Sequence, residues 1–186
     1  MDELYINKVL DGDIDAFRYF VHQYKDRAYN IAFSVVKNEF DARDAVQEAY
    51  IIAYRKLGKF RGKSKFSTWF IRIVINESLK HSNKKAAVER EITGNAIESA
   101  DPGSVDIQDK LTRDQQKYYI DLAMKNIPSN EALALALFYM EEYSIEEIKE
   151  LTGWTESNVK VLLHRARKSM YDELNLLLST EKKTLY

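Results

Sequence analysis

Residues 155–168 have the types and spacing of side chains that bind a polyanion. All but one of nine candidates are polar or basic, and they lie outside the apolar stripe of a predicted helix: Thr155, Ser157, Asn158, Lys160, Val161, His164, Arg165, Arg167 and Lys168. Short polar side chains at the start of a helix can reach the edges of DNA bases, and Lys and Arg further along can bind phosphates. The stretch from 157 to 171 has four Lys/Arg and no acidic residue. We therefore predict that this helix contacts duplex DNA.

A second set combines aromatic rings, basic groups and an amide: Phe60, Arg61, Lys63, Ser64, Lys65, Phe66, Ser67, Thr68, Trp69, Arg72, Asn76 and Lys80. Rings can stack on unpaired bases, basic side chains can follow phosphates, and the amides of a helix N-terminus near Ser67 favour an anion. From Trp69 onward the set recurs at three- and four-residue steps, which places it on one helix face. The pattern suits single-stranded DNA. The alternative is that Phe60, Phe66 and Trp69 are ordinary core residues.

A third set, Asp41, Asp44, Gln47 and Glu48, forms a polar and acidic edge opposite a stripe of alanines. Such an edge is usually a solvated helix face. The residue types alone therefore indicate no partner for it.

The first set lies in a segment of the chain that has the sequence pattern of a helix-turn-helix. Ser144 and Glu147 fit a capping box that starts a short helix, and Gly153 can take the left-handed conformation that ends it. Thr155 can cap a second helix over residues 156–178. Two helices joined by such a turn form the unit that places its second helix in the major groove. A helical hairpin with a solvated basic face is the alternative.

Helices must also position the other two sets. Apolar spacing and capping residues predict five helices before the helix-turn-helix: 14–37 capped by Asp13, 42–57 capped by Asp41, 68–84 capped by Ser67, 111–125 and 130–142. The chain has only 2 Pro and 6 Gly, whereas sheet-rich folds need many tight turns. We therefore predict an all-α fold.

The pattern also divides the chain into two small helical domains. Helical periodicity is lost after about residue 85, and residues 88–114 carry seven acidic and three basic residues. A packed domain rarely contains so long a loop without structure. We predict an N-terminal domain over residues 1–86, a flexible acidic linker over 87–110, and a C-terminal helix-turn-helix domain over 111–186.

Composition and charge exclude several function classes. The net charge is only -1, but residues 55–90 contain eleven Lys/Arg and two acidic residues, and such a cluster is typical of nucleic-acid binding. There is no Cys, no phosphate-binding loop and no metal-spaced His/Cys set. We therefore expect no enzyme, no cofactor and no metal. Without a signal peptide or a long apolar run, we expect a cytoplasmic protein with no membrane insertion.

Two blocks of sequence resemble a known family. SIEEIKELTGWTESNVKVLLHRARKSM, over residues 144–170, is similar to the region 4 helix-turn-helix of extracytoplasmic-function (ECF) sigma factors of bacterial RNA polymerase. DARDAVQEAYIIAYRKLGKFRGKSKFSTWFIRIVINES, over residues 41–78, is similar to region 2 of the same family. The two blocks stand in the family's order, with a variable linker between them.

The resemblance implies a sigma factor that binds core RNA polymerase and directs it to promoter DNA. Region 4 would bind the −35 duplex, and the loop before Trp69 would capture a flipped base of the −10 element. Asp44, Gln47 and Glu48 align with the patch that grips the β′ coiled coil, and region 4 would meet the β flap. In the family the linker threads into the polymerase channels. The resemblance also implies an anti-sigma factor that clamps both domains.

Some positions depart from the family pattern. Val161 and Leu162 stand where Ser-Arg is frequent, Ile71 replaces a common Tyr, and Asn158 replaces a common Thr. Promoter sequence therefore does not carry over, although Val161 can meet a thymine methyl group. Two other functions stay open, a stand-alone helix-turn-helix regulator and an interaction module without a DNA role. The basic block and the acidic edge favour the sigma factor, because a plain repressor needs neither.

Overall fold

A computed structural model describes the backbone of residues 1–92 and 112–184, and the side chains of residues 1–84, 112–113 and 115–179. Every regular element within this backbone is a helix, which confirms the all-α fold. Most of the predicted acidic linker lies outside the described residues. The final predicted helix runs further than expected, to Thr184.

The helices fall into an N-terminal half (residues 1–92) and a C-terminal half (residues 112–184). The first contains α1 (Asp2–Leu10), a 3₁₀ turn (Ile14–Phe17), α2 (Arg18–Val36), α3 (Glu39–Lys56), a second 3₁₀ turn (Leu57–Lys59) and α4 (Phe66–Ile92). The second contains α5 (Arg113–Asn126), α6 (Ser129–Leu135), a π-helical turn (Ala136–Met140), α7 (Ile145–Thr152) and α8 (Glu156–Thr184). The helix α4 passes through the predicted domain boundary at residue 86.

Three helices in the N-terminal half begin at residues other than those predicted. Asn38, and not Asp41, caps α3: its side chain accepts hydrogen bonds from the amides of Phe40 (2.9 Å) and Asp41 (3.1 Å). Asp13 does act as a cap, but it starts the first 3₁₀ turn, and α2 begins only at Arg18. Ser67 lies inside the first turn of α4. Asn38 is suited to cap α3 because its backbone is extended, as is usual for an N-cap residue, and it precedes Asp41 in the chain.

Sequence patterning missed α1 altogether. Its stabilising contacts come from α2: the hydroxyls of Tyr19 and Tyr24 donate to the Asp2 carboxylate at 3.0 and 2.7 Å. The rings of Tyr5 and Tyr19 stack with centroids 4.0 Å apart. A helix of nine residues is too short to be stable alone, so these tertiary contacts decide its presence.

The helix-turn-helix has the predicted caps. Ser144 and Glu147 form a reciprocal capping box at the start of α7. Gly153 ends α7 in the left-handed region, with φ 75°. The Thr155 hydroxyl then accepts a hydrogen bond from the Asn158 amide at 3.2 Å, which caps α8.

We expect Gly153→Ala to lower the free energy of unfolding by about 1–2 kcal/mol, because an L-residue at this φ brings its Cβ close to the following carbonyl oxygen. Gly58→Ala is the matched control. The φ of Gly58 is not in the left-handed region, and its added Cβ would meet only the Leu10 side chain at an ordinary 3.8 Å. Urea unfolding of both variants measures the difference. Equal losses would contradict a conformational role for Gly153.

The two halves share one apolar core. The helices α2, α3 and α4 pack together, and α6 and α7 pack against α2 and α4. A single cluster of buried side chains therefore includes Phe20, Ile31 and Phe70 of the N-terminal half together with Leu133 and Ile148 of the C-terminal half. The C-terminal half also has a smaller cluster of its own between α5, α6 and α8.

Candidate nucleic-acid interface

Three aromatic rings form a cluster where the loop after α3 enters α4. The ring centroids of Phe60 and Trp69 are 5.2 Å apart, and both are 5.6–6.0 Å from that of Phe66. Phe60 and Trp69 are half-buried, whereas Phe66 is only 3% exposed and its ring lies 4.1 Å from Phe20. The sequence predicts Phe66 among the DNA contacts, but its burial does not fit that role. We reassign it as the support beneath the two accessible rings.

Basic and polar side chains surround this ring cluster. Arg61, Lys63, Ser64 and Lys65 are exposed, and Ser67 and Thr68 are half-buried at the start of α4. Gly62 adopts a φ of 66°, which allows the loop to turn sharply. A groove with a volume of several hundred Å³ separates the loop from α1. Accessible rings beside an exposed basic rim are suited to an unpaired base and its phosphates.

The predicted face of α4 is present, and two of its basic side chains, Arg72 and Lys80, already have hydrogen-bond partners. Arg72, Asn76 and Lys80 are all exposed. The Lys80 ammonium lies 3.0 Å from the Glu77 carboxylate, and this hydrogen bond raises the pKa of Lys80. The Arg72 guanidinium donates a hydrogen bond to the backbone carbonyl of Glu150, at the C-terminal end of α7.

The nine predicted residues of the helix-turn-helix are all exposed, and all but the capping Thr155 lie on α8. Val161 is 42% exposed on this face, while Val159, Leu163 and Ala166 are buried on the other. The Lys160 ammonium lies 2.6 Å from the Glu156 carboxylate, and this hydrogen bond lowers the pKa of Glu156. The geometry is that of a helix presenting one polar, mostly basic face to a partner.

Arg167 has a contact that the sequence did not predict. Its Nε donates to the hydroxyl of Tyr139 at 2.8 Å, and its guanidinium lies 5.7 Å from the centre of the same ring. Tyr139 belongs to the π-helical turn, so this pairing arises from tertiary packing. It fixes the direction of Arg167 at the edge of the α8 face.

The acidic edge lies on α3, next to α4. Asp44, Gln47 and Glu48 are exposed and Asp41 is half-buried. The Glu48 carboxylate lies 3.2 Å from Nε2 of His81, and this hydrogen bond holds the pKa of Glu48 below its usual range. His81 is 33 residues away in sequence, so only the packing of α3 on α4 reveals the pair.

The described part of the chain contains no group of three or more His, Cys, Asp or Glu side chains arranged to hold a metal ion. Within the same residues, no helix has both the length and the apolar composition of a membrane span.

Two family models match the chain. Sigma-70 region 2 matches residues 20–88, which include the ring cluster and the acidic edge, and Sigma-70 region 4 matches residues 117–170, which include the helix-turn-helix. The two matches thus contain all three predicted sets of site residues.

Similar proteins match over nearly their whole length. The ECF RNA polymerase sigma factor SigW of Bacillus subtilis is 29% identical to this chain, and the alignment covers 91% of this chain and 94% of SigW. The ECF RNA polymerase sigma-E factor of Escherichia coli strain K12 is 27% identical, and the alignment covers 95% of this chain and 96% of that protein.

Two solved structures are also similar to this chain. The sigma factor RpoE of Bartonella quintana, in complex with the anti-sigma factor NepR, has a TM-score of 0.68 at 20% identity, and the match covers 86% of this chain and 96% of RpoE. CnrH in complex with the cytosolic domain of CnrY has a TM-score of 0.63 at 18% identity, covering 97% and 98%. Both structures share the fold. With both regions matched in the family's order, the chain belongs to the extracytoplasmic-function sigma factors, the RNA polymerase subunits that direct transcription initiation.

Proposed function

We propose that this sigma factor reads its promoter through two surfaces. The exposed face of α8 binds the −35 duplex, with Ser157, Asn158 and Val161 facing base edges and the basic residues binding phosphates. The observation that carries this proposal is the exposure of all nine predicted residues, whereas Val159, Leu163 and Ala166 on the opposite face of α8 are buried. The residues Thr155, Lys160, His164, Arg165, Arg167 and Lys168 complete this surface.

The second surface binds the −10 element as a single strand. Phe60 and Trp69 hold an unpaired base, and the exposed Arg61, Lys63, Ser64 and Lys65 follow the backbone. Ser67 and Thr68 offer the amides of the α4 N-terminus to a phosphate. Further along the same helix, Arg72, Asn76 and Lys80 guide the opened strand.

Core RNA polymerase binds on the acidic edge of α3. Asp41, Asp44, Gln47 and Glu48 meet the basic β′ coiled coil, where complementary charge fixes orientation and speeds association. The C-terminal half meets the β flap. The domain limits are those of the sequence pattern, with region 2 over residues 1–86, the linker over 87–110 and region 4 over 111–186.

We also propose the setting in which the chain acts. It is a non-catalytic subunit that works in the cytoplasm and needs no cofactor. An anti-sigma factor restrains it, since solved proteins of the same fold are complexes with anti-sigma factors.

Run-off transcription with purified core polymerase and a promoter library tests the proposed function. We expect transcripts from a small set of promoters, and sequencing those promoters reads out both DNA elements. No transcription and no association with core polymerase would overturn it. Tight, salt-sensitive duplex binding without polymerase would instead favour a stand-alone regulator.

We expect Asp44→Ala to weaken core polymerase binding by roughly 5-fold or more, the loss of about 1 kcal/mol from one complementary charge. Asp11→Ala is the matched control, because that carboxylate is also exposed but lies at the end of α1, outside the surfaces proposed to bind polymerase or DNA. Fluorescence titration of each labelled variant with core polymerase gives the affinities. An unchanged affinity for Asp44→Ala would remove this residue from the polymerase surface.

A further inference from the structure

The polar face of α8 is bordered by an exposed tyrosine from another element. Tyr139 is 55% exposed and belongs to the π-helical turn (Ala136–Met140), which precedes the helix-turn-helix. Its hydroxyl accepts a hydrogen bond from Arg167 Nε, and the Arg167 guanidinium lies over the edge of its ring. The sequence pattern did not place Tyr139 among the DNA contacts, yet its polar end lies beside one of them.

The hydrogen bonds of this pair leave donors that point outward. A tyrosine hydroxyl can accept and donate at the same time, and a guanidinium carries five N–H donors. The bond from Arg167 uses a lone pair of the Tyr139 oxygen, so the phenolic hydrogen remains. Within the described part of the chain, no group accepts that hydrogen or the terminal Nη donors of Arg167. An anionic acceptor from outside can therefore bind both side chains at once.

The position of the tyrosine ring is fixed from behind. Phe138 is half-buried against the apolar core, and its ring packs edge-on against Tyr139 with centroids 5.0 Å apart. The Glu141 amide donates to the Ala136 carbonyl at 3.0 Å, which closes the π-helical turn. Single π-helical turns are frequent at functional sites. A donor that is already held in place loses less conformational entropy when it binds.

The surrounding charge favours DNA as the partner. Residues 157–171 contain four Lys/Arg and no acidic residue, and Arg165 and Lys168 are exposed near the pair in sequence. Tyrosine is one of the side chains that donate to phosphate oxygens in protein–DNA complexes. At about 100° per residue, Arg167 is turned roughly 120° around α8 from Val161. If Val161 faces base edges, Arg167 therefore faces the DNA backbone beside the groove.

We propose that Tyr139 and Arg167 together bind one phosphate at the edge of the −35 element, with the phenolic O–H and an Nη of Arg167 as the donors. This inference rests on the proposed function, because it requires the α8 face to lie in the major groove. The −35 surface then extends beyond the helix-turn-helix to the turn that precedes it. A phosphate contact carries no base preference, so its role is to fix the position of α8 on the duplex.

Titration of a −35 duplex tests the proposal on the holoenzyme formed from the full chain and core polymerase. The probe is a labelled duplex carrying a −35 element obtained by run-off selection. We expect Tyr139→Phe to weaken binding by roughly 3-fold to 10-fold, the usual effect of one hydrogen bond. Tyr118→Phe is the matched control, because that tyrosine is 40% exposed on α5, and it should leave the affinity unchanged.

The salt dependence separates a lost contact from a displaced helix. The phenol carries no charge, so Tyr139→Phe should keep the slope of log affinity against log salt, whereas Arg167→Gln should reduce the magnitude of that slope by about one. A displaced α8 would lose several phosphates, and a large fall in the slope with Tyr139→Phe would overturn the proposal. Circular dichroism of each variant checks that the helix content is unchanged.

Replacing the phosphates one at a time with uncharged methylphosphonates identifies the phosphate. The unsubstituted holoenzyme should lose affinity at one flanking position, and Tyr139→Phe and Arg167→Gln should each be less sensitive at that same position. Adding Tyr139→Phe to Arg167→Gln should weaken binding further. No further loss would make Tyr139 only a support for the Arg167 side chain, and different positions for the two variants would mean separate contacts. Either result would overturn the proposal.

Arg165→Ala distinguishes failure of this inference from failure of the proposed function. If Arg165→Ala weakens duplex binding and Tyr139→Phe does not, the inference is overturned and the −35 surface stands. If neither weakens it, or if the holoenzyme selects no promoter, the proposed −35 surface fails and the inference fails with it. If Tyr139→Phe weakens the binding of core polymerase and not of DNA, Tyr139 contacts the polymerase, which also overturns the inference.

Discussion

Trp69→Ala should reduce open-complex formation by roughly 5-fold to 150-fold and leave core polymerase binding nearly unchanged. Stacking of a base on an aromatic side chain contributes about 1–3 kcal/mol, and Trp69 is one of the two accessible rings at the start of α4. Permanganate footprinting of unpaired thymines measures melting, and fluorescence titration measures core binding. The selective loss is the signature of a ring that acts only on opened DNA.

Trp69→Phe is the matched variant, since it keeps a ring and should recover most of the melting. Asn76→Ala should also lower melting more than core binding, and it removes no part of the ring cluster. Urea unfolding of each variant shows whether stability has changed, which matters because Trp69 is half-buried. Equal losses of melting and of core binding would refute the base-capture role.

Phe70→Ala should lower the free energy of unfolding by about 3–5 kcal/mol. The Phe70 side chain is fully buried, and its ring centroid lies 4.6 Å from that of Tyr50 and 6.1 Å from that of Phe66. Removing it leaves a cavity below the ring cluster. A loss of this size is a large fraction of the stability of an ordinary domain.

The control for this substitution is Phe40→Ala. Phe40 is 77% exposed at the start of α3, so its truncation should change stability by less than about 0.5 kcal/mol. Urea unfolding at one temperature compares the two variants. A small loss for Phe70→Ala would mean that the core between α2, α3 and α4 tolerates a cavity there.

The parts of the fold that depend on local sequence were predictable. Ser144, Glu147, Gly153 and Thr155 act on amides and torsions within a few residues, so the helix-turn-helix and its caps follow from the sequence. The same locality explains the exposed face of α8, because a helix with one apolar stripe must turn its polar face outward.

The parts that depend on distant residues were not predictable. Phe66 has the residue type of a base-stacking group, but Phe20 and Phe70 surround it. The helix α1 could not be predicted either, because hydrogen bonds from two hydroxyl groups of α2 to its Asp2 side chain stabilise it. The contact between Arg72 and the Glu150 carbonyl spans 78 positions, and no periodicity reports such a pairing.

The apolar core shared by the two halves has a consequence during synthesis on the ribosome. The faces of α2 and α4 that receive α6 and α7 emerge first, and α6 begins about 90 residues after α2 ends. At about 5–20 residues per second, the face of α2 stays uncovered for roughly 5–20 seconds before α6 is synthesised. During that interval the nascent chain presents an unfilled apolar surface, which makes it a substrate for ribosome-associated chaperones and sensitive to pauses in translation between α4 and α6.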